Sequence, residues 1–353
     1  MIYKDRILDI LRLSSKMNLN EEEKSAFLDL IMEYDKERED ILFDELRIHK
    51  IEFLFLKHII EANSIYGIFD KRRMIEISER LAFLQIKYKE YIDEATRISE
   101  ALMSINVKFA WLKGASIIDL LYKSGDIVYR DFGDFDILVS NSELSKANIA
   151  FESCGFIQGK VDHNMHIVKA DRREILQWLL NSHQEMKFIK KSSFFDISPR
   201  LLINLDANTT IFEGGKKIDP ISTDYLLNNT TISTRYGCNC FYSLIPTIEF
   251  IQLCYHFYKD TQYESKKNNK QNYNLIKFCD IKEYYQCFNQ LIDKNVFIGL
   301  IKKSNIKREI FSVLWMVSSF YNDEMLKQFA LQIIEKQNHY ENYDWDKILL
   351  HYR

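Results

Sequence analysis

Apolar residues recur at helical spacing through the first third of the chain. Ile7, Ile10, Leu11 and Leu13 mark one amphipathic helix. Asn20 followed by Glu23 is an N-terminal capping pattern for a second, which carries Phe27, Leu28, Leu30 and Ile31. The stretch from Ile41 to Ile60 is strongly apolar at the same period and is broken by Gly67. A long helix is predicted from about Lys71 to Ser104. His49 and His58 fall inside these apolar patterns, where a histidine is read as a core residue rather than a ligand.

The period changes after residue 106. Val107 to Leu112 reads as an apolar strand that ends in Lys113-Gly114, followed by a helix over about Ala115 to Lys123. Ile137-Leu138-Val139 reads as a short buried strand. Ser142-Glu143-Leu144 opens a helix that stops near Cys154-Gly155, glycine being the expected residue just past a helix end. Lys160 to Val168 alternates as one strand, so His163 and His166, three apart, face opposite ways. Glu185 to Lys191 and Ser193 to Leu201 form an expected hairpin. Asp206, flanked by Asn204 and Asn208, reads as loop, and residues 206–245 read as loop-rich, with turns at Gly214-Gly215 and Asp219-Pro220. Pro246-Thr247 opens a helix, Glu264 to Asn274 is a polar loop with Lys266, Lys267 and Lys270, and the remainder is helical and rich in aromatics. The pattern divides into 1–105 (helical), 106–210 (mixed) and 211–353 (helical), an α+β chain with a mixed sheet between two large helical regions.

Composition sharpens this only in places. Ten glycines and three prolines in 353 residues argue for long helices over a turn-rich all-β fold. A net charge of −3 gives no global pull toward nucleic acid or an anionic membrane, and no basic stripe interleaved with aromatics is present. No run is long enough to span a bilayer and the N-terminus lacks the apolar core of a signal peptide, so a cytoplasmic protein is expected. The six cysteines (Cys154, Cys238, Cys240, Cys254, Cys279 and Cys287) are then expected as free thiols. Cys238-Asn-Cys240 is too closely spaced for a zinc knuckle.

Candidate chemistry centres on Arg130-Asp-Phe-Gly-Asp134-Phe-Asp136. Two acids two residues apart on a strand project from one face. Their repulsion is relieved by a divalent cation, and oxygen ligands of this kind suit Mg2+ or Mn2+. Upstream, a strand, the Lys113-Gly114 turn and a helix N-terminus make an anion site, with Lys113 as a point charge and Arg130 as a planar fork for phosphate oxygens. Asp196, among apolar residues on an expected inner strand, needs a partner or a metal.

The pattern Leu112-Lys113-Gly114, then Arg130 with Asp134-Phe-Asp136-Ile-Leu-Val, then the helix ending at Gly155-Phe156, resembles the bacterial "uncharacterised nucleotidyltransferase" family, within the DNA polymerase β-like nucleotidyltransferase superfamily. Pro246-Thr247 to Cys254 and His256, and Lys277 to Ile281, are also similar to it. Ala115 after Gly114, with Ser116 one step late, departs from the superfamily loop. The resemblance implies a nucleotidyltransferase-type mixed sheet and a metal-binding pair, Asp134 and Asp136. It implies a third carboxylate on a later strand, for which Asp196 is chosen over Asp206, and phosphate contacts from Lys113, Gly114, Ser116 and Arg130. C-terminal helices beside the cleft bring in His256, Lys259 and Asp280, and His183 is a substrate-contact candidate. The implied reaction moves a nucleoside monophosphate from an NTP such as ATP to a hydroxyl or phosphate of a small-molecule or peptide acceptor, with pyrophosphate released. Members of the family occur among genes for peptide natural products. Two other readings use the same residues: a glycosyltransferase drawing on a nucleotide-sugar, and a nucleotide-sensing binding module.

Overall fold

The computed structural model describes residues 2–62, 69–131, 133–181, 185–194, 202–212, 221–235, 238–262, 273–334 and 345–350. Four helices open the chain: α1 (Ile2–Ser14), α2 (Glu21–Met32), α3 (Glu39–Ile48) and α4 (Glu52–Glu61). The predicted capping box is present at α2, where the Asn20 side chain and the Glu23 side chain each accept from the other's backbone N–H. The apolar stretch expected as one helix is two: the chain breaks at His49-Lys50-Ile51, with Lys50 at φ 57°. No glycine or proline marks that break. Gly67 lies outside the described residues. α5 (Lys71–Ser104) has the predicted bounds and is capped by the Asp70 carboxylate, which accepts from the Arg72 and Arg73 N–H groups.

Then follow β1 (Phe109–Leu112), α6 (Lys113–Leu121), a small hairpin of β2 (Lys123–Ser124) and β3 (Ile127–Val128), and β4 (Asp134–Val139). After these come α7 (Leu144–Ser153), β5 (Ile157–Val161), β6 (Ile167–Lys169), α8 (Arg172–Asn181), β7 (Phe188–Lys191) and β8 (Leu202–Asn208). Gly155 ends α7 at φ 88°, as expected. α9 (Thr223–Asn228), β9 (Thr230–Arg235), β10 (Cys238–Leu244) and α10 (Pro246–Gln262) lead to the last helices, α11 (Leu275–Phe288), α12 (Lys294–Lys303), α13 (Lys307–Tyr321), α14 (Glu324–Leu331) and α15 (Trp345–Leu349).

Eight strands form one mixed sheet in the order β6-β5-β7-β8-β4-β1-β10-β9. β4 runs parallel to β8 and antiparallel to β1, and β1 runs parallel to β10. Two expectations are corrected here. The strand expected over Lys160 to Val168 is a hairpin of β5 and β6, with His163 in its turn and Asp162 accepting from the Asn164 and His166 N–H groups. β7 pairs with β8 on one side and β5 on the other, and residues 195–201 of the second hairpin arm expected over Ser193 to Leu201 lie outside the described residues. Part of the expected loop region supplies β9 and β10, which extend the sheet beyond β1.

The sheet separates two apolar cores. On one face Trp111, Phe135, Ile137, Val139, Ile203, Leu205 and Ala207 pack against α7 and the C-terminal half of α5. The indole N–H of Trp111 is satisfied there by the Ser99 hydroxyl at 3.0 Å. On the other face Ala110, Leu112 and Leu138 join a second core. That core holds α6, the N-terminal helices and the C-terminal helices together. His49 and His58 lie in it as expected, each with Nε2 2.9 Å from a backbone carbonyl, of Leu349 and Lys16 respectively. Cys154, Cys254, Cys279 and Cys287 are free thiols.

Candidate active site

Alternation along β4 gives the site its face. Phe135 and Ile137 point into the α5–α7 core, so Asp134 and Asp136 point to the opposite side. β8 alternates in phase with it: Ile203, Leu205 and Ala207 go into the core, and Asn204, Asp206 and Asn208 face the site. The parallel register sets Asp206 directly beside Asp136 and Asn204 beside Asp134. Asn204 donates to Asp134 Oδ1 at 2.9 Å and Asn208 to Asp136 Oδ1 at 3.3 Å. Asp206, expected in a loop, is therefore the third carboxylate of the cluster. Asp196 and His183 lie outside the described residues.

Two lysines stand among the three acids. Lys113 Nζ is 2.6 Å from Asp136 Oδ1. Lys187, one residue before β7, places its ammonium 3.2 Å from Asp134 Oδ2 and 3.7 Å from Asp206 Oδ2. Burial is the main force raising the Asp206 carboxyl to about 6, with Asp136 and Asp134 adding to it and Lys187 and Lys113 opposing. Burial pulls the Lys187 ammonium down, but Asp206 and Asp134 outweigh it and leave its pKa above the ordinary lysine value. Among the described residues no three His, Cys, Asp or Glu side chains converge tightly enough to hold a metal. In donor chemistry, though not in its present spacing, the set suits a hard divalent cation. It consists of three carboxylates on one face of adjoining strands, one of them held against ionisation, and cationic side chains now occupy the space between them.

α6 starts at Lys113 without an intervening loop. The left-handed residue is Lys113 itself, at φ 54°, rather than Gly114, which is buried in the first helical turn. Its N-cap residue, Leu112, makes no side-chain capping hydrogen bond. Ser116 is fully buried and its hydroxyl donates 2.8 Å back to the Lys113 carbonyl. Beside the helix start is a cavity of about 50 Å³, lined by Lys113, Arg130, His256, Lys277 and Asp280 with Leu253 and Ile281. Arg130, expected as a phosphate fork, forks instead onto Asp280, with Nε and Nη2 at 2.8 and 2.7 Å. The Tyr122 hydroxyl donates to the same carboxylate at 2.6 Å. Nη1 of Arg130 is buried and has no hydrogen-bond partner among the described residues. Lys277 contacts Asp260, and its Nζ is 3.2 Å from His256 Nε2. Burial, with Lys113 nearby, draws its ammonium well below the ordinary lysine range. Lys259 is half-buried on α10 and does not line this cavity.

α5 clamps the segment leading into β4. Gln85 exchanges two hydrogen bonds with the Val128 backbone, Lys87 pairs with Asp131 at 2.6 Å, and the Tyr91 hydroxyl donates to the Gly133 carbonyl at 3.2 Å. These hold both ends of the Arg130–Asp134 segment against one rigid helix.

Sequence reasoning missed Lys187, Asn204, Asn208 and Lys277 as site residues. The signal for Asn204 and Asn208 was in plain view: polar residues at every second position, alternating with aliphatics, along one strand.

A mixed sheet flanked by helices, with an aspartate pair on one strand and a third aspartate in register on its parallel neighbour, is consistent with a nucleotidyltransferase-type fold. The chain belongs to the uncharacterised nucleotidyltransferase family, whose model matches residues 37–322. No curated protein and no solved structure matches the chain. No helix among the described residues is long and apolar enough to cross a membrane.

Proposed function

We propose that the protein is a metal-dependent nucleotidyltransferase. It would move a nucleoside monophosphate from an NTP to a hydroxyl or phosphate of a small-molecule or peptide acceptor. The observation that carries this reading is the in-register placement of Asp206 beside Asp136, on the face that Asp134 shares, next to the start of α6. Asp134 and Asp136 would hold Mg2+ or Mn2+, with Asp206 as the third carboxylate; the ion supplies charge for the triphosphate and acidifies the acceptor.

The chain's own residues do the rest. Asp206 takes the proton from the acceptor oxygen as that oxygen bonds to the α-phosphorus, the bond to the β-phosphate oxygen breaks, and pyrophosphate leaves. A carboxyl raised to about 6 is a competent base at neutral pH. Lys113, exchanging Asp136 for phosphate oxygens, and the first N–H groups of α6 at Gly114 to Ser116 neutralise the leaving group. The outer phosphates run toward the cavity, where Nη1 of Arg130, His256 and Lys277 face them; Lys259 lies one helical turn beyond His256 on α10. Chemistry of this kind rests on positioning and charge neutralisation, which suits a site clamped from behind by α5.

The test is incubation with each nucleoside triphosphate and each nucleotide-sugar, with Mg2+ or Mn2+ and a panel of small-molecule and peptide acceptors. Release of pyrophosphate, with a nucleoside monophosphate mass added to the acceptor, is the expected result. Release of a nucleoside diphosphate with a sugar mass added would instead identify a glycosyltransferase. Tight nucleotide binding without turnover would identify a sensor.

A further inference from the structure

We propose that Lys187 fills the place of a second cation, so that the chain works with one divalent ion where phosphoryl-transfer sites of this type commonly use two. The inference rests on the reading above. Its observation is the position of one ammonium group between the first and third carboxylates, 3.2 Å from Asp134 Oδ2 and 3.7 Å from Asp206 Oδ2. In two-ion sites the ions stand about 3.5–4 Å apart and bridging carboxylates join them. Asp134 and Asp206 are the acids that an acceptor-side ion would bridge here.

The position is built into the sheet. Phe188 pairs with Leu205 across the antiparallel β7–β8 ladder, which carries Lys187, one residue back, to the level of Asp206 on the site face. The two lysines differ in where they can go. Lys113 stands at the start of α6 and lines the cavity, so a phosphate can replace Asp136 as its partner. The side-chain partners of Lys187 are acids of the site itself. Moving it away would leave Asp206, buried among like charges, without its nearest cation. A fixed ammonium also has no affinity to satisfy, so the acceptor side of the site stays neutralised at any metal concentration.

The experiment counts ions rather than turnover. Full-length protein is titrated with Mn2+, alone and with each of the four α,β-methylene ribonucleoside triphosphates, and bound ion is followed by electron paramagnetic resonance. Two Mn2+ ions a few ångströms apart give an exchange-coupled spectrum that one ion cannot. The wild type is expected to bind one protein-held ion with an uncoupled spectrum, as is Lys187→Arg. Lys187→Met is expected to take up a second ion and show the coupling. A coupled pair in the wild type overturns the inference and leaves the transferase reading standing. So does Lys187→Met that melts like the wild type yet still holds one ion. If Lys187→Met fails to fold, the wild-type and Lys187→Arg spectra decide. No bound Mn2+ in any sample overturns the metal-dependent reading itself and the inference with it.

Discussion

Replacing Asp206 with asparagine should stabilise the metal-free protein at neutral pH while abolishing transfer. In the fold the carboxyl is raised from an ordinary 3.8 to about 6, burial being the largest cause. At 1.36 kcal/mol for each tenfold change in proton affinity, that difference is about 3 kcal/mol. The sign follows from the direction of the shift. A carboxyl whose folded-state pKa lies above its unfolded value favours folding most when protonated. Its contribution is fully present below about pH 4 and is lost as pH rises through about 6. Asparagine keeps the neutral shape and never ionises. The stability of Asp206→Asn relative to wild type should therefore widen by up to about 3 kcal/mol between pH 4 and pH 7, then level off. Urea melts in EDTA across that range, with the midpoint and slope fitted separately, measure it. A stability difference that does not change with pH would refute the argument. So would one that shrinks toward neutrality, because the Lys187 pair would then outweigh burial. The same variant in the transfer assay should be inactive, which places a stability cost at the residue the chemistry uses.

Asp134→Asn or Asp136→Asn should lower transfer by roughly a thousandfold or more with the melting curve little changed, since each removes a carboxylate that would hold the divalent ion facing the reacting phosphate; initial rates of pyrophosphate release test it. Arg130→Met should destabilise the fold by about 3–5 kcal/mol, because it strands Asp280 in a buried position beside Tyr122, and Arg130→Lys should recover only part of that, lacking the planar fork. Chemical denaturation of both variants and of Asp280→Asn reads this directly. Lys277→Met should raise KM for the triphosphate more than it lowers kcat, because the cavity holds the outer phosphates away from the reacting bond; steady-state kinetics separate the two.

Helix signals written locally were legible. The Asn20/Glu23 box and Gly155 after α7 each act within one or two turns, and each is found where it was read. The aspartate pair and its turn toward the site were legible for the same reason, because strand alternation is local. What could not be read depended on neighbours distant in sequence. Asn204, Asp206 and Asn208 carry loop-favouring chemistry, and only pairing with β4 makes them a strand. Ile203, Leu205 and Ala207 between them, almost wholly buried, were the countersignal. β9 and β10 were hidden by the turn residues before them, and the break at Lys50 by a left-handed lysine where glycine is usual. Arg130 was read for its chemistry alone, without the α11 carboxylate that claims its fork.

The place of Asp206 beside Asp134 and Asp136 follows from the pleat. On a strand parallel to β4 and in register with it, an acid joins Asp134 and Asp136 only if it alternates in phase with them, and Asp206 does. A one-residue slip of β8 would turn Asp206 into the α5–α7 core and bring Leu205 and Ala207 out to the site. That exchange would bury a carboxylate among aromatic side chains and expose two aliphatics, so the apolar packing of Ile203, Leu205 and Ala207 is what holds the register of the acid cluster. The specificity of the acid cluster is therefore carried by residues that never touch it. Leu205→Ala, which removes side-chain volume from the fully buried face, should loosen that register, lower transfer and weaken the fold together, whereas Asp206→Asn separates the two effects.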